Sequence, residues 1–365
     1  MSYTTIDDPS AFFQIATWTG NTSAPRSITN DGNSNLQPDI VWGKNRTTNG
    51  TDHELYDSTR GTGTDKNLKP NSTVQEGIST TYGQLTSFDT DGFTVNAGGT
   101  NDDFWNENGS EFVAWQWKCN AGSTSSNTDG DLTSTVQVNQ TAGISIFTYT
   151  GKDPIEPLDI GHGLGSVPDW FIIKRRNGGS RNWAVYHKDM AATPQNNYLR
   201  LNSTNAVAAA STWWRNEAPT STIIKTGEQA DINQPNDTFV GYAWKEVQGY
   251  SKFGKYTGNG SGDGPFVYTG FKPAFVMVKD TGAAGNWFIL DNKRNPHNLT
   301  DMWLVASGNG AETNYLSAFQ LDIVSNGFKL RTSYSETNTS GRTYIYMAFA
   351  ENPFVTSTGI PTTAR

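Results

Sequence analysis

The chain is poor in cysteine, histidine, charge and long apolar runs, and each shortage closes a route. One cysteine, Cys119, stands among 365 residues, so no intrachain disulfide holds the fold. The histidines number four, His53, His162, His187 and His297, with no two at zinc-ligand spacing. With a single thiol beside them, they argue against a zinc site. No stretch approaches the ~18 consecutive apolar residues of a membrane helix. The opening Met1-Ser2-Tyr3-Thr4-Thr5-Ile6-Asp7-Asp8-Pro9 lacks the basic and apolar regions of a secretory leader, so synthesis in a cytoplasm without a Sec-type signal is expected. Bases (27) are outnumbered by acids (35), a net charge of -8, which is not the basic footprint nucleic acid demands. Helix formers are scarce, and no long segment carries a 3.6-residue apolar period. Gly-x-Ser-x-Gly elbows, Walker loops and dinucleotide fingerprints do not occur, so no cofactor and no catalysis are expected.

What the chain has is aromatic residues and glycine. Trp, Tyr and Phe make up 12% of it, and Gly supplies 37 residues, a composition that suits β-sheets with many turns. Three stretches say nearly the same thing: Pro38 to Lys44 (Pro-Asp-Ile-Val-Trp-Gly-Lys), Pro168 to Lys174 (Pro-Asp-Trp-Phe-Ile-Ile-Lys) and Pro273 to Lys279 (Pro-Ala-Phe-Val-Met-Val-Lys). Each reads as a strand buried on both faces. Proline sits at the entry, where no ladder N–H is needed, and lysine marks the exit.

The flanks repeat too. A Thr-Gly turn precedes each run, at Thr19-Gly20, Thr150-Gly151 and Thr257-Gly258. Twelve residues after each lysine comes Tyr56, Tyr186 or Asp291, inside a second short strand. An aromatic-alternating strand then closes each unit, around Phe112 to Trp117, Phe239 to Trp244 and Tyr344 to Ala350. A period of about 105 residues is too long for a solenoid and suits a whole sandwich. The expectation is therefore all-β, with tandem β-sandwich units of jelly-roll or lectin-like type in three internal repeats. Their boundaries are an N-terminal arm 1–11, unit one 12–118, a Ser/Thr/Gly-rich linker 119–142, unit two 143–249, unit three 250–353 and a tail 354–365. The arm is expected to dock on a partner, the linker to add one edge strand at Ser134 to Val138, and the alanine-rich 206–211 to form a helical turn.

Several phrases resemble a repeat family of virion-associated structural proteins in marine, cyanobacterial-type tailed phages. They include Tyr3-Thr4-Thr5-Ile6-Asp7-Asp8-Pro9-Ser10, Leu85-Thr86-Ser87-Phe88-Asp89-Thr90-Asp91-Gly92-Phe93, Val113-Ala114-Trp115-Gln116-Trp117-Lys118 and Tyr344-Ile345-Tyr346-Met347-Ala348-Phe349-Ala350-Glu351-Asn352-Pro353-Phe354. The resemblance implies a particle-exposed structural protein with sandwich units, acting by assembly and host-surface attachment. Its place would be capsid decoration, head fibre or tail fibre. It implies other virion proteins as partners, self-association such as a homotrimer, a host-surface glycan as ligand, and the virion as location, after synthesis in the bacterial cytoplasm. A glycan-binding lectin module of the tail is the alternative, and a polysaccharide depolymerase the outsider. Neither nucleic acid nor membrane insertion is implied.

The candidate ligand residues follow from position off the strand pattern. Trp213, Trp214 and Arg215 lie in a polar loop of unit two, where tryptophans stack on sugars or enter a partner's pocket. His162 lies in the glycine-rich loop Gly161-His162-Gly163-Leu164-Gly165. Trp105 and the on-strand Trp42, Trp115, Trp117, Trp170 and Trp244 are assigned to cores. The Asp-rich turns at Asp89-Thr90-Asp91, Asp102-Asp103 and Asp129-Gly130-Asp131 lack the fixed spacing of a calcium loop and read as turns. With 35 acids, paired carboxylates of glycosidase type arise anyway and single nothing out.

Overall fold

A computed structural model describes residues 2–77, 81–98, 104–153, 155–314 and 319–362. The architecture is all-β, built from antiparallel sheets. The first body contains β1 (Phe13–Thr19), β2 (Arg26–Ile28), β3 (Ile40–Asn45), β4 (Glu54–Asp57), β5 (Gln84–Asp89), β6 (Gly92–Asn96) and β7 (Glu111–Trp117). The second contains β8 (Ser125–Asn127), β9 (Ser134–Asn139), β10 (Ile144–Thr150), β11 (Leu158–Gly161), β12 (Trp170–Arg175), β13 (Trp183–His187), β14 (Asn197–Arg200), β15 (Ala208–Ala209), β16 (Ile223–Thr226) and β17 (Thr238–Trp244). The third contains β18 (Ser251–Thr257), β19 (Phe266–Tyr268), β20 (Phe271–Asp280), β21 (Trp287–Asp291), β22 (Met302–Val305), β23 (Thr313–Asn314), β24 (Leu321–Val324), β25 (Gly327–Leu330) and β26 (Thr343–Pro353).

The large sheets share one order. It is β1-β7-β3-β4 in the first body, β10-β17-β12-β13 within the second and β18-β26-β20-β21 within the third. A small sheet faces each: β2-β6-β5, β11-β16 and β19-β25-β24. The Pro-to-Lys runs are the interior strands β3, β12 and β20, and they are buried on both faces. Double burial removes the polar face that would alternate, which is why these runs are apolar throughout.

One face of each strand meets its own small sheet, and the other meets the other two bodies. Val41 packs outward with Phe93 and Trp105, while Trp42 points into a core common to all three bodies. There Trp117 lies 6.3 Å from Trp244 and 5.6 Å from Phe349, and Trp170 lies 5.6 Å from Trp287, ring centre to ring centre. The strands converge on a closed apolar cavity of about 20 Å³, lined by Trp42, Trp117, Ile172, Tyr242, Met277 and Met347 among others. Such a lining offers water no partner.

The bodies contact one another in a cycle. Trp183 Nε1 donates to the Lys69 carbonyl of the first body (2.9 Å), and Trp287 Nε1 donates to the Arg200 carbonyl of the second (2.9 Å). At the corresponding place in the first body, His53 lies 3.0 Å from the Val305 carbonyl of the third. Trp42 Nε1 donates to His53 Nδ1, so the His53 proton sits on Nε2 and completes that bond.

The lysines that close the runs are not solvated exits. Lys44, Lys174 and Lys279 are all buried. Lys174 Nζ donates to the carbonyls of Thr73 (3.0 Å) and Arg181 (2.6 Å). Lys279 Nζ donates to those of Thr204 (3.3 Å) and Asp280 (2.7 Å), and Lys44 Nζ to that of Asn45 (2.7 Å). Burial pulls Lys174 down to about 7, against a smaller opposing pull from Asp231. Burial likewise pulls Lys44 and Lys279 down to about 8.

A second set of bonds crosses the same seams. Asp57 Oδ2 accepts from Arg60 Nε (2.5 Å) and from the Tyr242 hydroxyl of the second body (2.6 Å). Asp291 Oδ2 accepts from Arg294 Nε (2.6 Å) and from Trp115 Nε1 of the first body (3.0 Å). His187 holds the matching register position, opposite Trp170 as Asp57 is opposite Ile40.

Three segments differ from expectation. The arm packs on its own chain, against the connection between β17 and β18 and against the third body. Thr4 Oγ1 donates to the Gln248 carbonyl, the Tyr3 hydroxyl donates to the Gly270 carbonyl, and Ile6 enters the common core. The stretch 119–142 holds two strands, because β9 pairs with β10 and β8 with β9. The alanine-rich stretch supplies β15, and the helical turn falls just after it at Ser211–Trp214.

Two measurements follow from the seams. A lysine whose folded value lies below its unfolded value of about 10.4 penalises the folded state while protonated. That penalty is full below the folded value and fades as pH rises to the unfolded one. Wild-type stability therefore gains a rising contribution from about pH 7 to 10, which Lys174→Met lacks. The variant's deficit in denaturant unfolding should grow over that window to about 1–3 kcal/mol, since two carbonyls lose their donor. A deficit independent of pH would overturn the assignment. Tyr242→Phe should cost about 1.5–3 kcal/mol, the worth of a hydrogen bond to a buried carboxylate, and a change below 0.5 kcal/mol (about the noise of a surface substitution) would refute the seam bond.

Candidate functional site

Trp213 and Trp214 each retain 1% of their surface and end the short helix Ser211–Trp214. Trp213 stacks on Tyr198 with centroids 4.0 Å apart and planes 5° off parallel, and the Arg200 guanidinium lies 5.6 Å above it. Trp214 sets its edge on Phe171 at 5.0 Å. Both rings use their faces inside the second body, so neither presents a stacking face to a ligand. This corrects the expectation for the pair: the helix folds back onto the outer side of the large sheet and the rings fill that gap. Arg215 follows in the left-handed conformation (φ 55°) and pairs with Asp159 on β11 and with Glu217. Lys225 on β16 joins both acids.

His162 follows β11 and is buried. Its Nε2 lies 3.2 Å from the Thr220 carbonyl and its Nδ1 accepts the Leu164 N–H. Both ring nitrogens are engaged, and burial lowers the imidazole to about 4, so it is neutral near pH 7. The structure thus brings Arg215 and His162 to one small sheet without joining their side chains.

The Asp-rich turns are occupied by local bonds. Asp89 accepts from Ser87 and Thr94, Asp91 from the Leu36 N–H, and Asp131 from the Asp159 N–H. Asp102 and Asp103 lie outside the described residues. Among the described residues, no three His, Cys, Asp or Glu side chains gather to hold a metal ion.

A cleft of about 290 Å³ on the first body collects the chemistry that the sequence placed elsewhere. It is lined by Thr48, Thr51, Asp52, Lys69, Tyr82 and Phe104, with Asn49 and Gly50. Asn45 at the end of β3 fixes its wall, since Oδ1 accepts the N–H groups of Thr47 and Thr48 at 2.9 Å. The third body pins the wall from outside. Gly50 N–H donates to the Asn309 carbonyl (3.0 Å) and Asn309 Nδ2 returns a bond to the Gly50 carbonyl (3.2 Å).

Asp52 accepts from Lys69 Nζ (2.8 Å) and Asn71 Nδ2 (2.7 Å). Lys69 Nζ also stands 4.7 Å over the Phe104 ring, against which Tyr82 packs at 4.8 Å. Tyr82 keeps 36% of its surface exposed. Beside these groups on β4, burial raises the Glu54 carboxyl to about 8, against a smaller pull from Lys69. Glu54 is therefore neutral near pH 7. An exposed aromatic ring, a held carboxylate and an ammonium are groups that recognise a polyhydroxylated ring by stacking and hydrogen bonds. The sequence signal is an off-strand tyrosine in Thr81-Tyr82-Gly83, a lone aromatic in a stretch with no apolar period.

The fold and this cleft define an all-β particle of two-sheet bodies with a polar, aromatic-edged recess. The chain matches the model of a domain of unknown function, DUF7483, over residues 8–353, and it belongs to that family. No curated protein and no solved structure matches it.

The two aromatic settings separate by mutation. Trp214→Ala should cost about 3–5 kcal/mol in denaturant unfolding, as for a buried indole, and Tyr82→Ala no more than about 0.5 kcal/mol. Equal losses would mean that Tyr82 is a core residue and the recess is not a surface site.

Proposed function

We propose that the protein is a structural component exposed on a tailed-phage particle, acting by assembly and by attachment to host-surface glycan through the recess at Tyr82, without catalysis. The observation that carries the reading is the recess itself. Tyr82 and Phe104 offer an aromatic edge, Asp52 and Lys69 are held in fixed orientation, and Asn309 of the third body braces the wall. A preformed recess of this kind spends little ordering entropy on binding.

The resemblance of the sequence to virion-associated proteins of marine tailed phages supports the location. The cycle of three bodies around one aromatic core supports a rigid module, suited to repeated contact with a symmetric particle. The same recess favours the lectin variant, in which the protein is the receptor-binding module of a tail.

The test joins location and ligand. Mass spectrometry and cryo-electron microscopy of purified particles should find the chain on the surface. A glycan array should give hits that Tyr82→Ala reduces about ten-fold or more, the loss of one stacking contact. Absence from particles would overturn the structural role. Shortening of the bound polysaccharide would overturn the non-catalytic reading.

A further inference from the structure

The three seams between bodies are built alike but filled differently. At the seam of the first and second bodies, β9 lies along the outer edge of β10, with Asn139, Val138 and Gln137 opposite Ile144, Ser145 and Ile146. Gln137 Nε2 reaches across the seam to Ser58 Oγ (3.0 Å) and Thr59 Oγ1 (2.8 Å). The Asp39 carboxylate receives the N–H groups of Cys119, Ala121 and Gly122 there, at 2.6–2.9 Å. At the seam of the second and third bodies, side-chain ion pairs close the same space. Lys188 bridges Asp169 and Glu246, Lys252 joins Glu246, and Lys255 joins Asp189.

At the seam of the third and first bodies the space is open. The strand equivalent to β10 is β1, because Phe13 pairs with Trp117 as Ile144 pairs with Trp244. Among the described residues β1 ends its sheet and has no partner on its outer side. The position of Asp39 and Asp169, just after the proline, is taken by Ala274, which removes a carboxylate. The chain beyond β26 does not turn back to fill the gap, since Lys272 pairs with Asn352 and Phe271 with Pro353. What remains is a cleft of about 420 Å³, lined by Phe13, Gln14, Ile15, Ala274, Asn292 and Glu351 among others. Phe13, Gln14 and Ile15 are the three positions that β9 covers in the second body. Asn292 and Glu351 stand where Ser58 and Cys119 stand at the filled seam.

We propose that this cleft is a strand-addition site for an extended peptide segment of a partner protein. The peptide would be antiparallel to β1, with a β-branched residue opposite Gln14 and an amide side chain opposite Ile15. The filled seam supplies both the geometry and the side-chain preference, because β9 reads Val-Gln-Val-Asn at these places. Three residues of unpaired edge, set within the cleft with 3–8% of their surface open, span about 10 Å, so a short segment supplies the core of the contact. Main-chain bonds to β1 give affinity, and the amide, bonded to Asn292 and the neighbouring Lys293, gives specificity. Lys293 already pairs with Asp31 across the cleft and Lys272 with the lining Glu351, so the charges at the mouth are matched and favour a neutral segment over an acidic or basic one.

The experiment uses the full chain and a synthetic peptide of residues 132–141, Leu-Thr-Ser-Thr-Val-Gln-Val-Asn-Gln-Thr, as probe. Saturable binding by calorimetry is expected, with slowed hydrogen exchange at Phe13 to Thr17, and a scrambled peptide should do neither. Asn292→Trp, a partly exposed position, should weaken binding about ten-fold or more. A peptide carrying a photo-crosslinking residue in place of Gln137 should label the segment around Asn292 and Lys293 in unaltered protein, so the result does not depend on the variant folding. No saturable binding, protection confined to other strands, or equal binding of the scrambled peptide would each overturn the proposal. Protection of β1 that grows with protein concentration alone would overturn it as well, by making a second copy of this chain the occupant.

Discussion

A buried ammonium at each seam constrains the rest of the structure. An amine that cannot reach water must either lose its proton or find acceptors inside. Lys174 and Lys279 find theirs on main chain, and part of that main chain belongs to the preceding body. A carbonyl cannot be supplied by a flexible side chain that swings into place. The loop carrying Thr73 must lie against β12, and the loop carrying Thr204 against β20. The same loops then exchange backbone bonds with the next body, as in Arg181 to Thr73 and Gly285 to Thr204. Acceptors for the lysines and docking of the loops are therefore one event, and neither body satisfies its lysine fully alone.

The aromatic core depends on that docking. Trp117 reaches Trp244, and Trp170 reaches Trp287, only when the large sheets of different bodies meet face to face. The Asp57–Arg60 and Asp291–Arg294 pairs then act as latches. Each carboxylate takes a donor from the neighbouring body's closing strand, Tyr242 in one case and Trp115 in the other. The second body departs from this scheme with His187 and Met190. Burial holds His187 down to about 3, with a smaller push from Lys188, so it is neutral and needs no guanidinium beside it. The absence of arginine there is the electrostatic consequence of having no carboxylate to pair.

Much of the fold was legible because local rules and burial agreed. Proline at a strand entry, an apolar run with no polar face and a fixed interval to the next strand mark β3, β12 and β20, and the strands are there. The role of the lysines was not legible. In one dimension a lysine ending an apolar run is a residue leaving the core. One acceptor of each, Thr73 for Lys174 and Thr204 for Lys279, lies 101 or 75 residues away in sequence, and a carbonyl has no identity in a sequence. Trp213 and Trp214 misled for the same reason, since the Tyr198 and Phe171 rings that cover them lie on other elements, β14 and β12, and β14 carries no signal in the sequence. The recess at Tyr82 was hidden by its construction. Its wall is held by Asn309, 259 residues from Gly50, and its tyrosine sits in a stretch with no period.

The shared strand order also shows where to look for what is particular to this chain. The common features, namely buried lysine, tryptophan or histidine on a neighbour's carbonyl, and a sheet buried on both faces, account for cohesion. Departures from them need separate causes. Ala274 stands where two aspartates stand, and removes a group that elsewhere satisfies three N–H donors or a lysine. Nothing in the cohesion of the third body requires that loss, because its strands, latch and lysine are all intact. A β-sheet edge left open in water ordinarily invites unwanted pairing. The chain covers the equivalent edge of β10 with its own β9, and lines that of β18 with Lys252 and Lys255. Along β1 it uses neither device. Here Gln14 instead ties the loop Gly32 to Ser34 down beside the strand, through the Gly32 N–H and the Ser34 carbonyl, and shapes a recess next to the edge. A shaped recess beside an open edge restricts which strands can enter, and that restriction is what separates recognition from aggregation.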